Sequence, residues 1–143
     1  MPELLGKVRN ITCSDRYWDC ENSDYFTACL CQAQLNFNNG AIAEITYGKG
    51  NIFWHSHRTL EIYGEQGQII FEGEKGTLIV GDVEQKIPVV PRRGLFARDT
   101  TMVLDYLFEG QPLYLQPQAS LYALRVANAA RKSSLTNKIV YLD

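Results

Sequence analysis

Alternating apolar and polar residues are the strongest pattern in this chain, and they are clearest over residues 27–37. Every second residue there is apolar or small, and the residues between them include Gln32 and Gln34. An alternation of period two is typical of a β-strand with one buried face. Asn38-Asn39-Gly40 follows and has the composition of a tight turn, so residues 41–47 are predicted to return as the partner strand of a hairpin.

Further strand-like runs are separated by glycine-bounded turns, most clearly between Arg58 and Val80. Residues 14–24 are polar, aromatic and irregular, and this composition predicts a loop. The predicted strands outside the hairpin are residues 4–13, 59–63, 68–72, 77–80, 84–90 and 138–142.

Two segments change to a helical pattern. Asp99 is a candidate N-cap for a helix that ends at Glu109, just before Gly110. A second helix is predicted over residues 118–133, where alanines recur at a spacing that suits close packing on a sheet. These alanines are Ala123, Ala127 and Ala130.

Most strands precede the helices and tight turns join them, which favours an α+β fold. We predict a large, mostly antiparallel mixed sheet with two helices on one face. Two helices cannot cover both faces, so the other face is expected to stay open and to suit a protein–protein contact, with a second copy of the chain as partner. The interface candidates are Gln32, Gln34, Ile42, Thr46, Glu61, Tyr63, Ile70 and Ile79.

Composition and charge argue mainly against several classes of function and location, among them nucleic-acid binding and membrane association. A chain of 143 residues has the usual length of one domain, and its net charge of −2 offers no basic field to nucleic acid or to a membrane surface. No apolar run approaches the roughly 20 residues that span a bilayer. The first residues lack the apolar stretch of a secretory signal, so a cytoplasmic location is the default expectation.

The residues that could bind a metal have no informative spacing. Cysteines at positions 13, 20, 29 and 31 form no C-x-x-C pair, which predicts reduced, structural thiols. His55 and His57 share a side of an extended segment, but nothing marks a third ligand, so no metal is predicted. We interpret them either as structural histidines or, with Trp54, as the lining of a small-molecule pocket.

Charged and aromatic residues also gather in the predicted loop. Arg16 and Trp18 can grip a polar organic ligand through charge-assisted hydrogen bonds and stacking, or they can pack on a neighbouring domain or subunit. Arg92 and Arg93 are a candidate anion contact, a solvated turn or donors to an interface salt bridge. No residue order indicates hydrolysis, and no catalytic residue is assigned.

The glycine pairs do not indicate a cofactor loop. A dinucleotide site needs G-x-G-x-x-G between a strand and a helix, so that backbone N–H groups meet the pyrophosphate. The pairs Gly48/Gly50, Gly64/Gly67 and Gly73/Gly76 all lie between predicted strands and are interpreted as turn glycines. No cofactor-binding residue is therefore predicted in this chain.

Several short stretches nevertheless follow one another in an informative order. They are Leu35–Ala41, Leu60–Gly64 with Gly67, Gly76–Leu78, Leu95-Phe96 with Asp99 and Leu104, Gly110, and Ser120-Leu121 through Arg125–Ala127. Their order and spacing resemble the C-terminal domain of the Gfo/Idh/MocA oxidoreductases, the family of glucose–fructose oxidoreductase and inositol dehydrogenase. The resemblance covers nearly the whole chain.

The resemblance implies an N-terminal Rossmann domain that binds NAD or NADP, supplies the catalytic lysine and is absent from this chain. Lys75 follows Glu74 as in the family's Glu-Lys-Pro segment, but it lies in a predicted hairpin turn, so no catalytic role is carried over. The family's C-terminal domain closes the substrate side and builds oligomers. That implies a place near the substrate or an interface for Arg16, Trp18, Trp54, His55, His57 and Arg93.

We therefore predict that residues 1–143 are one C-terminal, substrate-side and oligomerisation domain, inactive alone, of an NAD(P)-dependent oxidoreductase. The resemblance implies a sugar, a cyclitol or a related secondary alcohol as substrate. An alternative is a stand-alone interaction or scaffold domain that uses the same sheet. A third possibility, an autonomous enzyme with His55 or His57 as base, needs a nucleophile or a metal that the pattern does not indicate.

Overall fold

The computed structural model describes residues 2–18, 26–91 and 93–142. The chain divides into two compact units: the first runs to Trp54 and resumes at Tyr114, and the second is His55–Leu113. Cys20, Arg92 and the predicted loop residues 19–24 lie outside the described residues. Within those described ranges, no helix is long and apolar enough to cross a membrane.

A four-stranded antiparallel sheet with the order β3-β2-β1-β8 forms most of the first unit. The predicted hairpin is present, and its turn contains Gly40 at a φ of 88°, a left-handed value that favours glycine. The Asn39 side chain accepts the Ala41 N–H at 3.1 Å across this turn. The strands are β1 (Val8–Trp18), β2 (Ala28–Phe37), β3 (Ile42–Gly50) and β8 (Val140–Tyr141).

Strand β1 extends beyond its predicted end. Residues from Ser14 to Trp18, predicted as loop, pair one by one with β2 from Gln32 back to Ala28. The backbone ladder does not depend on side-chain polarity, so a polar run can remain in a strand when its neighbour supplies the hydrogen bonds. At the other end, Leu4 and Leu5 belong to a short helix, α1 (Pro2–Leu5), instead of the predicted strand.

The core of the first unit lies between this sheet and helix α3 (Pro117–Thr136). Alternate residues of β1 and β2 face the helix, as the period-two pattern predicted. On α3 the buried residues are Ala129 and Ser133, whereas Ala123 and Ala127 are exposed, so the predicted alanine stripe was wrong for these two. The buried core residues are Val8, Ile11, Cys13, Ala33, Leu35, Phe37 and Ala129.

Two side chains of α3 also hydrogen-bond to β1. The Tyr122 hydroxyl accepts the Val8 N–H at 2.8 Å. The Ser133 hydroxyl accepts the Cys13 N–H at 3.0 Å and donates to the Lys138 carbonyl at 2.7 Å. Because buried backbone donors need partners, these contacts fix the position of the helix along the strand.

The second unit contains an antiparallel sheet of four consecutive strands in the order β4-β5-β6-β7. One face carries Leu60, Phe71 and Ile87 in a single cross-strand row, and the other carries Glu61, Ile70 and Thr77 in the next row. The strands are β4 (Thr59–Gly64), β5 (Gly67–Glu72), β6 (Lys75–Val80) and β7 (Val83–Ile87).

Helix α2 (Leu95–Glu109) also belongs to the second unit and contains no buried residue. Its N-cap is Gly94 and not the predicted Asp99, while Gly110 ends it in a left-handed conformation as predicted. Phe96 is 90% exposed and Phe108 is 82% exposed. Most apolar side chains of this helix are therefore exposed.

The α+β class is confirmed. The described strands, however, form two antiparallel sheets of four strands each and not one large mixed sheet. Of the two long helices, α3 packs on the sheet of the first unit, whereas α2 belongs to the second unit and has no buried residue. Alternation tells which side chains of a strand share a face, but it does not tell which strands are neighbours.

Candidate substrate-side surface

The face of the first sheet that points away from α3 carries mostly polar side chains, and we call it the polar face. Its members alternate along β1, β2 and β3 with the core residues, and most of them are exposed. The register places Gln32 between Ser14 and Thr46, and Gln34 between Thr12 and Glu44. The polar face comprises Asn10, Thr12, Ser14, Arg16, Trp18, Leu30, Gln32, Gln34, Asn36, Ile42, Glu44 and Thr46.

An open groove of about 370 Å³ lies along this face and reaches the loop before β8. Hydroxyl and amide groups supply much of its lining, and Glu44 and Lys138 add one charge of each sign. The Asn36 side chain donates to the Asn10 side chain at 2.8 Å, so this pair of amides is already partly satisfied. The groove is lined by Thr12, Cys13, Ser14, Gln32, Ala33, Gln34, Glu44, Ser133, Asn137, Lys138 and Ile139.

Arg16 and Trp18, two of the predicted pocket residues, are brought together on the polar face. The guanidinium carbon of Arg16 lies 5.0 Å from the centre of the Trp18 ring, within the range of a cation–π contact. They are two positions apart on one strand, with Tyr17 between them, so both side chains leave the sheet on the same side. The pair offers a cation beside an aromatic plane, which suits a flat ligand that carries a carboxylate.

Behind Arg16, the opposite side of β1 carries Asp15 and Tyr17. The Asp15 carboxylate accepts hydrogen bonds from the Tyr17 hydroxyl, at 3.3 Å, and from the Ser134 hydroxyl of α3. Partial burial and the neighbouring Asp15 carboxylate raise the pKa of Tyr17, so the phenol stays protonated at neutral pH. The Ser134–Asp15 bond connects the far end of β1 to the helix.

The other predicted pocket residues do not belong to the polar face. Trp54 is at the end of the first unit and is 89% exposed. His55, His57 and Arg93 belong to the second unit and are exposed. The His57 Nε2 atom lies 2.7 Å from the Thr59 hydroxyl, a local hydrogen bond at the start of β4. Within the described part of the chain, no group of three or more acidic, His or Cys side chains can hold a metal.

The predicted interface residues fall on two different sheets. Gln32, Gln34, Ile42 and Thr46 all lie on the polar face, next to Arg16 and Trp18. Glu61, Tyr63, Ile70 and Ile79 share one face of the β4–β7 sheet. There the Tyr63 hydroxyl donates to the Glu61 carboxylate at 2.6 Å, and this bond raises the pKa of Tyr63.

The three glycine pairs do not form a pyrophosphate-binding loop. Gly64 and Gly67 bound the β4–β5 turn, while Gly73 lies in the turn before β6 and Gly76 within that strand. Gly48 lies inside β3 and Gly50 is its last residue, so the pair belongs to the strand and not to a turn, which corrects the prediction for that pair. A nicotinamide dinucleotide needs backbone N–H groups at a strand-to-helix turn, and these pairs do not supply them.

Several residues of the polar face, among them Thr12, Ser14 and Glu44, were not predicted as site residues from the sequence. An alternating pattern that could have predicted those on β1 is present in the sequence, because every second position from Asn10 to Arg16 is polar: Asn10, Thr12, Ser14 and Arg16. Because residues from Ser14 onward were predicted as a loop, the alternation was not followed beyond residue 13. Lys138 gave no such signal, because it reaches the groove from the loop between α3 and β8.

An α+β unit with an open polar sheet face is a class of domain found in cofactor-dependent enzymes and elsewhere, so comparison with known proteins decides the family. The family model described as "Oxidoreductase family, C-terminal alpha/beta domain" matches residues 2–142. The chain belongs to this family, which confirms the resemblance to the Gfo/Idh/MocA oxidoreductases. No match was found among curated proteins.

Solved structures agree. The crystal structure of biliverdin reductase in complex with biliverdin and NADP+ from Synechocystis sp. PCC 6803 shares 48% sequence identity at a TM-score of 0.84, over 92% of this chain and 42% of that chain. Levoglucosan dehydrogenase in complex with NADH and levoglucosan shares 14% sequence identity at a TM-score of 0.76. The match covers 99% of this chain and 46% of that chain. The aldose-aldose oxidoreductase from Caulobacter crescentus, complexed with glycerol, shares 14% sequence identity at a TM-score of 0.75. The match covers 95% of this chain and 42% of that chain. This chain thus spans less than half the length of each.

Proposed function

We propose that this chain is the substrate-side domain of an NAD(P)-dependent oxidoreductase that reduces a linear tetrapyrrole of the biliverdin type. The observation that supports this most is the 48% identity to the biliverdin reductase over 92% of the chain. The levoglucosan and aldose enzymes share only 14% identity, a level that speaks for the fold alone. A sugar or cyclitol is therefore the second candidate substrate.

The chemistry of the polar face supports a flat, acidic ligand. A linear tetrapyrrole is an extended conjugated molecule with two propionate groups, and its rings carry N–H and C=O groups. The Arg16 guanidinium suits a propionate, and the indole of Trp18 offers a plane against which a ring can stack. Gln32 and Gln34 stand exposed in the neighbouring strand and present amides to the polar edges of the rings.

A nicotinamide cofactor would supply the hydride in the whole enzyme. Because the described glycines do not fit a pyrophosphate loop, the domain's own contribution is to bind and orient the substrate and to exclude water from it. We expect the 143-residue chain alone to bind tetrapyrrole without turnover and to leave NADP+ unbound.

Titration of the purified chain with biliverdin tests this proposal, read by the visible absorbance of the pigment and by quenching of tryptophan fluorescence. Both tryptophans, Trp18 and Trp54, belong to the first unit. Arg16→Gln should weaken binding at least tenfold, since a charge-assisted pair contributes about 1.5–3 kcal/mol. Arg131→Gln is the matched control, because Arg131 is also exposed and in the first unit but lies on α3.

The outcomes separate the parts of the proposal. Absence of saturable binding by biliverdin contradicts the substrate class, and saturable binding of levoglucosan in its place favours the sugar reading. Equal biliverdin affinity of wild type and Arg16→Gln contradicts the polar face as the site. Saturable binding of NADP+ by this chain contradicts the division of labour between domains.

We also propose that the domain self-associates through the β4–β7 face that carries Glu61, Tyr63, Ile70 and Ile79. These side chains form a mixed polar and apolar surface, which is typical of subunit contacts. Sedimentation velocity should show Tyr63→Glu dissociated, while Val80→Glu, on the opposite face of the same sheet, stays associated. A monomeric wild type at high concentration contradicts this part and leaves the substrate proposal standing. Dissociation by Gln32→Glu alone would instead assign the contact to the polar face.

A further inference from the structure

Two thiols of the first unit lie close together across the β1–β2 ladder. The Sγ atoms of Cys13 and Cys31 are 3.5 Å apart. In the strand register Cys13 lies opposite Ala33, and Cys31 lies opposite Asp15, so the two cysteines are diagonal neighbours on the face toward α3. Diagonal neighbours on one face are within reach of each other's side chains.

The two thiols differ in how accessible they are. Cys13 is only 6% exposed, whereas Cys31 is half-buried. Burial first, and then the bond to Cys31, raise the pKa of the Cys13 thiol to about 12, which keeps it protonated at neutral pH. Since the thiolate is the nucleophile in thiol–disulfide exchange, Cys31 is the member of the pair that meets a reagent first.

We propose that Cys31 and Cys13 form a thiol-modification site that takes a low-molecular-weight disulfide such as oxidised glutathione and closes as a cross-strand disulfide. The Cys31 thiolate attacks one sulfur of the reagent, forms a mixed disulfide and releases one thiolate. In a slower second step Cys13 loses its proton to solvent and attacks the Cys31 sulfur as a thiolate, and the second glutathione thiolate leaves. Two protein thiols are oxidised and one oxidised glutathione is reduced to two thiols, so atoms and electrons balance.

Closing the bond requires movement of the backbone as well as of the side chains. The sulfur–sulfur distance must shorten from 3.5 Å to about 2.05 Å, and diagonal neighbours lie about 7–8 Å apart, so the two strands must come closer together locally. Cys29 is the natural control, because it lies on the same strand and face as Cys31 but is buried opposite Tyr17. Two cysteines that are two residues apart on one strand point the same way and do not bridge easily.

Intact-mass analysis after incubation with oxidised glutathione tests the proposal. The wild type and Cys29→Ser should lose the mass of two hydrogen atoms. Cys13→Ser should instead keep a glutathione adduct, because its resolving thiol is missing. Cys31→Ser should form neither the crosslink nor an adduct at Cys13.

Digestion with trypsin and chymotrypsin assigns the sulfurs on the wild type itself, so the test does not depend on the variants folding. Cleavage after Arg16 separates Cys13 from the rest, and cleavage after Phe26 and Leu30 separates Cys20, Cys29 and Cys31. A crosslinked peptide pair containing Cys13 and Cys31 supports the proposal. Absence of any crosslink, or a crosslink that uses Cys20 or Cys29, overturns it, and so does an adduct on Cys13 in Cys31→Ser.

Discussion

Ser133→Ala isolates one buried hydrogen-bond relay between α3 and β1. The Ser133 side chain is 1% exposed. Its oxygen accepts the Cys13 N–H at 3.0 Å, and its proton goes to the Lys138 carbonyl at 2.7 Å. Alanine is compatible with the helix but makes neither hydrogen bond, so the variant removes both bonds with little change in side-chain volume.

The expected cost follows from the two groups that lose their partner. The Cys13 N–H belongs to a buried residue at the edge of β1 that β8 does not reach, since β8 pairs only with Asn10 and Ile11. A buried donor left without a partner costs about 1–3 kcal/mol. Lys138 is exposed, so its carbonyl can be hydrated and adds little. We therefore expect the free energy of unfolding of the first unit to fall by about 2 kcal/mol.

Urea unfolding followed by tryptophan fluorescence measures this loss, because the partly buried Trp18 of β1 reports on the first unit, while the 89% exposed Trp54 should change little. With a typical m-value of about 1–3 kcal/mol/M, the midpoint should fall by roughly 1 M. Ser120→Ala, an exposed serine on the same helix, should stay within about 0.5 kcal/mol of wild type. A Ser133→Ala midpoint equal to that of Ser120→Ala, at unchanged m-value, would refute the reasoning.

Two further outcomes are expected. Gly50→Ala should destabilise the first unit by several kcal/mol more than Gly40→Ala in the same urea assay. Both glycines have a positive φ, so both substitutions strain the backbone. A Cβ on Gly50 would in addition lie 2.3 Å from the Thr27 carbonyl oxygen, whereas a Cβ on Gly40 would meet nothing within 4 Å. Equal losses would contradict the close approach. Because burial raises the pKa of Cys13 from 9.0 to about 12, the unfolded chain loses this proton first, so stability should fall as pH rises between those values. Cys13→Ala should show a shallower fall, and parallel pH profiles would contradict the shift.

The strands were largely predictable from sequence, because alternation and glycine turns are local signals. Residues 59–63 and 68–72 were each within one residue of the observed strands β4 and β5. The sheet arrangement was not predictable in the same way. A period of two assigns side chains to faces, but the pairing of β1 with the short β8 joins residues from opposite ends of the chain.

The caps show a similar limit. Gly110 was correctly predicted as the end of α2, because a left-handed C-cap strongly favours glycine. At the other end Gly94 precedes the helix, and Asp99 lies inside it. An acidic residue near a helix start satisfies the N-cap rule at several positions, so composition alone placed the boundary too late.

Placing Arg16 and Trp18 on a strand, and not in a loop, changes what they can do. The β1–β2 ladder holds them on one face with Leu30 and Gln32 as fixed neighbours, so the separation between the cation and the ring is set by backbone geometry. A site that recognises a flat carboxylate ligand needs such fixed separations, since affinity is lost when side chains must be ordered on binding. The opposite side of the same strand carries Cys13 and Asp15, which bond to α3, so the packing of that helix also fixes the position of the strand that carries Arg16 and Trp18.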